Sequence, residues 1–154
     1  MDLVRRFSSE AYVQALSSWT WLEGLERSKP VLANAFGDVF LQAPDGSFSF
    51  LGTVEGSLVP TWPDAASLQA AVNTREAQEQ YLLSHLVHAA AEAGMDPGPD
   101  QVLSFTVPPV LGGELSVENI EPADFVVSVN IAGQVHEQVR SLPPGTPVTD
   151  VRIR

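Results

Sequence analysis

Residues 31–62 are VLANAFGDVFLQAPDGSFSFLGTVEGSLVPTW. Apolar and polar residues alternate here between turn signals, which is the period of a strand rather than of a helix. The Asp45-Gly46 pair separates VFLQA from SFSFL, and a tight hairpin wants residues that tolerate positive φ at its centre. Val39 to Gln42 and Phe48 to Leu51 are therefore predicted to pair antiparallel, with Thr53 to Val59 as a third strand turning near Gly56. Phe36, Gly37 and Asp38 make a bend before the first strand, a structural feature rather than a site. The stretch predicts a meander.

Upstream, SSEAYVQALSSWTWLEGL offers Ser8 and Ser9 as N-caps and puts Tyr12, Val13 and Leu16 on one helical face. Trp19 and Trp21 are expected to anchor the core, because a base-stacking platform would have basic neighbours. Downstream, Asp64 is placed to cap a helix over AASLQAAVN, and Thr74 starts a second, long helix that ends at Gly94. Tyr81, Leu82, Leu86 and Ala89 would form its core stripe. QVLSFTV then predicts a strand, and the β-branched run FVVSVNI a buried one. GQVHEQVRSL reads as a short helix and PVTDVRI as a last strand. Runs of strands with grouped helices argue for a single α+β domain over residues 1–154, with helices packed on a mostly antiparallel sheet.

Charge is uneven. Overall, 19 acidic residues face 8 basic ones, a net charge of -11. Residues 31–139 hold fourteen acids and one arginine, Arg75, a net of -13, whereas residues 140–154 add +2 from three arginines and Asp150. Such a body repels nucleic acid and anionic lipid and attracts basic partners, although acidity also serves solubility. No apolar run is long enough to span a bilayer, and the N-terminal segment lacks the apolar core of a signal peptide, so a cytoplasmic protein is expected. The absence of cysteine excludes disulfides, zinc-thiolate sites and a thiol nucleophile.

Catalytic and metal signatures are weak. Leu111-Gly112-Gly113-Glu114 lacks the lysine and hydroxyl residue of a P-loop. His85 and His88 stand three apart without the intervening glutamate of a metal-binding helix, and His136 is isolated, with no nucleophile elbow in the chain. No cofactor, no metal and no catalytic centre is expected. The stretch FTVPPVLGGE sets two prolines and two glycines among apolar residues, and predicts a shaped loop. Pro108 and Pro109 would end a strand, Val110 and Leu111 would tuck into the core, and Gly112 and Gly113 would reverse the chain.

The order AFGDVFL, a DG hairpin, EAQEQYLLSHLV, VLSFTVPPVLGGE, ENIE, GQVHEQV and LPPGT resembles a bacterial family. It is similar to the C-terminal domain of the immunity proteins that neutralise a type VI secretion DNase toxin, a group compared with the SMI1/KNR4-type superfamily. The resemblance runs over roughly residues 10 to 153. It implies an α+β fold and a non-enzymatic role, in which the protein binds a secreted toxin and occludes its active site or holds it inactive. A nuclease site is basic because it holds phosphates, so the acidic body suits such a partner. Glu76, Glu79, Asp96, Asp100, Glu114, Glu118 and Glu121 are the expected contact residues. A housekeeping or regulatory interaction domain without a toxin is the alternative, and a small hydrolase using His85 or His136 is a third reading. An unpaired PVTDVRI strand would offer an edge for homodimerisation.

Overall fold

The computed structural model describes residues 1–154. Five strands form one sheet: β1 (Val4–Arg5), β2 (Lys29–Asn34), β3 (Val39–Gln42), β4 (Phe48–Gly52) and β5 (Ser57–Trp62). They lie in the order β1-β2-β3-β4-β5, with every pair antiparallel. The DG hairpin forms with Val39 opposite Leu51 and Gln42 opposite Phe48. The third strand begins later than predicted, because Thr53 to Gly56 make the turn into β5. Its Pro60 is tolerated because β5 is an edge strand, where a missing N–H leaves no ladder bond unmade.

Helices cover both faces of this sheet. Val39, Leu41 and Leu51 point to one side and pack with Tyr12, Leu16 and Trp19 from the α1 (Ser9–Leu16) region and with Phe125 and Val129. Phe40 and Phe48 point to the other, against Trp62, Leu68 of α2 (Ala65–Val72) and Leu82 of α3 (Arg75–Leu82). The alternation of strand side chains thus feeds two cores, and β3 is buried on both sides. A third cluster joins α4 (Ser84–Glu92) to the hairpin of β6 (Gln101–Phe105) and β7 (Ile120–Asp124). The chain is α+β, as expected.

Four predictions are corrected. The run FVVSVNI is not a strand but the first half of α5 (Phe125–Val139), which continues through GQVHEQV. Asp124 caps it, accepting a hydrogen bond from the Val127 amide at 3.0 Å, and Phe125, Val129, Gly133 and His136 form its buried stripe. That helical period outweighs the β propensity of the valines. The long helix from Thr74 is two helices, broken where Leu83 takes left-handed φ and ψ of 50° and 44°. No glycine marks the break; the demand is tertiary, since Leu82 and Leu86 belong to different cores. The stripe continues through Val87 and Ala90, with Ala89 only half-buried. PVTDVRI forms no strand, so the edge invoked for homodimerisation does not exist. Val110 does not enter the core, being 38% exposed, and Leu111 is only half-buried.

Candidate functional site

The bend that opens the sheet is tied by a buried polar knot. Asn34, at the end of β2, accepts hydrogen bonds from the amides of Phe36 and Asp38 on Oδ1, at 2.9 and 3.0 Å. Its Nδ2 donates to Asp38 Oδ2 and to the Tyr81 carbonyl, both at 2.8 Å. Asp38 Oδ1 accepts from the amide and hydroxyl of Thr53. Burial pushes the Asp38 carboxyl above its ordinary value, against the pull of these Thr53 and Asn34 bonds. Gly37 has φ of 87°, and a Cβ there would stand 2.9 Å from a methyl of Val129, so both backbone and packing require glycine. Sequence reading singled out Phe36, Gly37 and Asp38 but missed Asn34, whose signal is an amide four residues before a buried acid.

Thr53 passes the knot on to α5. Its carbonyl accepts from His136 Nε2 at 2.7 Å, so the proton sits on Nε2 and the other ring nitrogen faces Gly56. Burial lowers the His136 pKa from its ordinary value, opposed by the Thr53 bond and by the charge of Glu55. The Nε2–H is engaged with a carbonyl rather than a nucleophile, which is a packing role. His85 is exposed beside Glu79 at 3.6 Å, and no group of three His, Asp or Glu side chains is arranged to hold a metal ion.

Around α5 the remaining resemblance motifs acquire positions. Gly133 lies against Ser18 and Trp19. There Trp19 Nε1 donates to the Val129 carbonyl at 2.8 Å and Ser18 Oγ to that of Asn130 at 2.7 Å. Trp19 is fully buried and stacks on Trp21, as a core anchor should. The PPVLGG stretch forms a 3-10 turn over Pro109–Leu111, closed by Gly112 at φ of 99°. The amides of Gly112 and Gly113 donate to the carbonyls of Pro109 and Pro108, at 2.9 and 3.1 Å. Asn119, from ENIE, staples this loop: it accepts from the Val107 amide and donates to the carbonyls of Val107 and Glu114, each at 2.9 Å.

Between this loop, β6, β7 and the outer face of α5 runs a cleft of about 480 Å³. Phe105, Pro108, Leu111, Val127, Ile131 and Val135 are among its mainly apolar walls, with Glu121 at its edge. Sequence reading missed it, because it assigned Val127 and Ile131 to a buried strand. The helix instead leaves Val127 54% exposed at the cleft.

All seven nominated acids are exposed. Glu76 and Glu79 lie on α3, Asp96 and Asp100 between α4 and β6, Glu114 and Glu118 in the stapled loop and its following 3-10 turn, and Glu121 on β7. Only Glu79 has a basic side chain within ion-pair distance, the imidazole of His85. The β6–β7 ladder, Gln101 opposite Asp124 to Phe105 opposite Ile120, holds Asp100 and Glu118 at opposite ends. At about 3.4 Å per residue, that separates them by roughly 17 Å of strand. The acids therefore form a broad band rather than one focus. No helix is long and apolar enough to cross a membrane.

The fold is shared with a solved structure, the crystal structure of Atu4351 from Agrobacterium tumefaciens, at a TM-score of 0.62 and 19% identity over 97% of this chain and 75% of that one. No curated protein matches the chain. Residues 65–136, from the start of α2 to His136 in α5, match the family model of the T6SS immunity protein Tdi1, C-terminal, the type VI secretion immunity family that the sequence resembles.

Proposed function

We propose that this chain is a cytoplasmic immunity protein that binds a cognate type VI secretion toxin and holds it inactive. The match to the immunity-protein family over residues 65–136 carries this reading. The surface supports a basic partner, a nuclease being the class that suits it: six of the seven acids Glu76, Glu79, Asp96, Asp100, Glu114, Glu118 and Glu121 have no counter-charge to displace. Unpaired rim carboxylates raise association rates with a cationic protein at little desolvation cost. A role in binding rather than catalysis accords with His136, whose donor nitrogen is spent on the Thr53 carbonyl.

The test is capture of the partner from the source cells by the tagged chain, with low-salt and then moderate-salt washes, followed by co-expression. The expected result is one basic secreted effector, weakened by salt, whose toxicity the chain relieves. Recovery of housekeeping proteins alone, or an effector whose toxicity persists, would overturn the reading. Replacing Glu114, Glu118 and Glu121 together by lysine should slow association about tenfold at low ionic strength, with a smaller loss at high salt. Unchanged rates and salt dependence would remove those three acids from the contact.

A further inference from the structure

Part of the apolar cleft is walled by the chain's own C-terminal segment, through Val151 and Ile153. The segment belongs to no sheet, yet two glutamines of α5 bind its main chain. Gln138 Oε1 accepts from the Arg152 amide at 2.9 Å, and its Nε2 donates to the Arg152 carbonyl at 2.7 Å. Gln134 repeats the pattern on Arg154, accepting from the amide at 2.6 Å and donating to the main-chain oxygen at 3.2 Å. Alternate residues that exchange both main-chain bonds, with side chains between them directed to the other side, are the pattern of an antiparallel β ladder.

The spacing explains the fit. Four residues of helix advance about 6 Å, and two residues of extended chain about 6.7 Å, so glutamines one turn apart meet every second residue of a strand. Gln134 is buried, and its Nε2 also donates to Asn130 Oδ1 at 2.6 Å, which orients the amide before anything docks. On the tail's side these bonds use only backbone, and specificity comes from the apolar residues between them and from charge. Arg154 reaches Glu137 of α5 at 3.7 Å, and Glu121 borders the cleft. By contrast, residues 141–150 are exposed throughout, and their main-chain bonds outside regular structure are local, Leu142 to Val139 and Thr146 to Pro143. The tail is thus a tethered ligand, basic and apolar in alternation, on an acidic body.

We propose that this cleft is a docking site for an extended segment of a basic partner protein, with β-branched residues alternating with arginine or lysine, and that the C-terminus covers part of it in cis until displaced. The proposal deepens the binding reading above and rests on it for the partner, but its test needs no toxin. The probe is a labelled peptide of residues 147–154, titrated into the full chain and into a full-length Val151→Asp/Ile153→Asp variant. A linker of about ten residues presents the tail at an effective concentration on the order of 1 mM. A peptide with a Kd of about 20 μM should therefore bind the variant about fiftyfold more tightly than the wild type. Adding Gln138→Leu to the variant should weaken the peptide at least tenfold. Equal affinity for wild type and variant, or no effect of Gln138→Leu, would overturn the proposal. In the wild-type chain, excess peptide should speed hydrogen exchange at the Arg152 and Arg154 amides, and unchanged rates would count against it whatever the variants do. Dimers of the wild-type chain that dissociate when the peptide is added would reassign the cleft to a second copy. Failure of these tests with toxin capture intact would refute the cleft alone.

Discussion

Replacing Gly133 by alanine should destabilise the protein, although alanine is the better helix former. In an exposed helix interior the exchange would gain about 1 kcal/mol. Here a Cβ at position 133 would stand 2.2 Å from Ser18 Oγ, 2.8 Å from Trp19 Nε1 and 2.9 Å from the Ser18 carbonyl oxygen. The serine hydroxyl can rotate, but only by giving up its bond to the Asn130 carbonyl. The indole cannot move aside: it is fully buried and bonded to the Val129 carbonyl. α5 must then shift away from the Ser18-Trp19 segment. Overpacking of this kind costs about 1–3 kcal/mol and each strained hydrogen bond about 0.5–1.5. Two bonds and the overlap outweigh the helix gain and leave a net loss of about 3 kcal/mol. For a chain of this length that is a fall in Tm of about 6–12 °C. Urea unfolding followed by tryptophan fluorescence measures it, with an unchanged m-value showing that the denatured state is unaffected. A Gly133→Ala variant as stable as the wild type, or more stable, would refute the argument that close approach selected this glycine.

Two further predictions concern the buried polar groups that join the sheet to α5. Asp38 only accepts hydrogen bonds, two on one oxygen and one on the other, so Asp38→Asn sets an amide donor against either Thr53 or Asn34. The expected loss is about 1–3 kcal/mol by chemical denaturation, and an unchanged midpoint would show that the knot is dispensable. His136 has its pKa lowered by burial, so as the pH falls below about 6.5 the unfolded chain takes up a proton that the folded chain refuses. The stability it contributes is present above that pH and is lost as the pH drops toward its folded pKa. His136→Gln can keep a donor for the Thr53 carbonyl without titrating. The stability difference between pH 7.5 and 5.5 should therefore shrink in this variant, and an equal difference would clear His136. The comparison with wild type also cancels Asp38, whose raised pKa acts with the opposite sign.

Where neighbours in sequence make the structure, the residues were legible. Asp45-Gly46 turns the chain at its hairpin, with the Asp45 side chain accepting from the Ser47 amide at 2.9 Å. Ser8, Asp64 and Thr74 each cap the helix that follows them. The acidity of the body is likewise a property of the string of residues. The cleft was not legible, because it needs the FVVSVNI run to be helical and the PPVL loop to stand beside it. Propensity favoured a strand there; the Asp124 cap and the spacing of Phe125, Val129 and Gly133 were the available signals to the contrary.

By itself, then, the sequence determined the meander, the caps, the charge and the resemblance to an immunity family, because each depends on residues a few positions apart or on composition. Only the tertiary structure decided that Leu83 breaks a helix between two cores, that Asn34, Asp38, Thr53 and His136 form one chain of hydrogen bonds, and that Gln134 and Gln138 hold the C-terminus as a β-like ligand. These features join residues up to 102 positions apart, from Asn34 to His136. No local pattern encodes such a pairing, since it arises only when the helices and the sheet have packed.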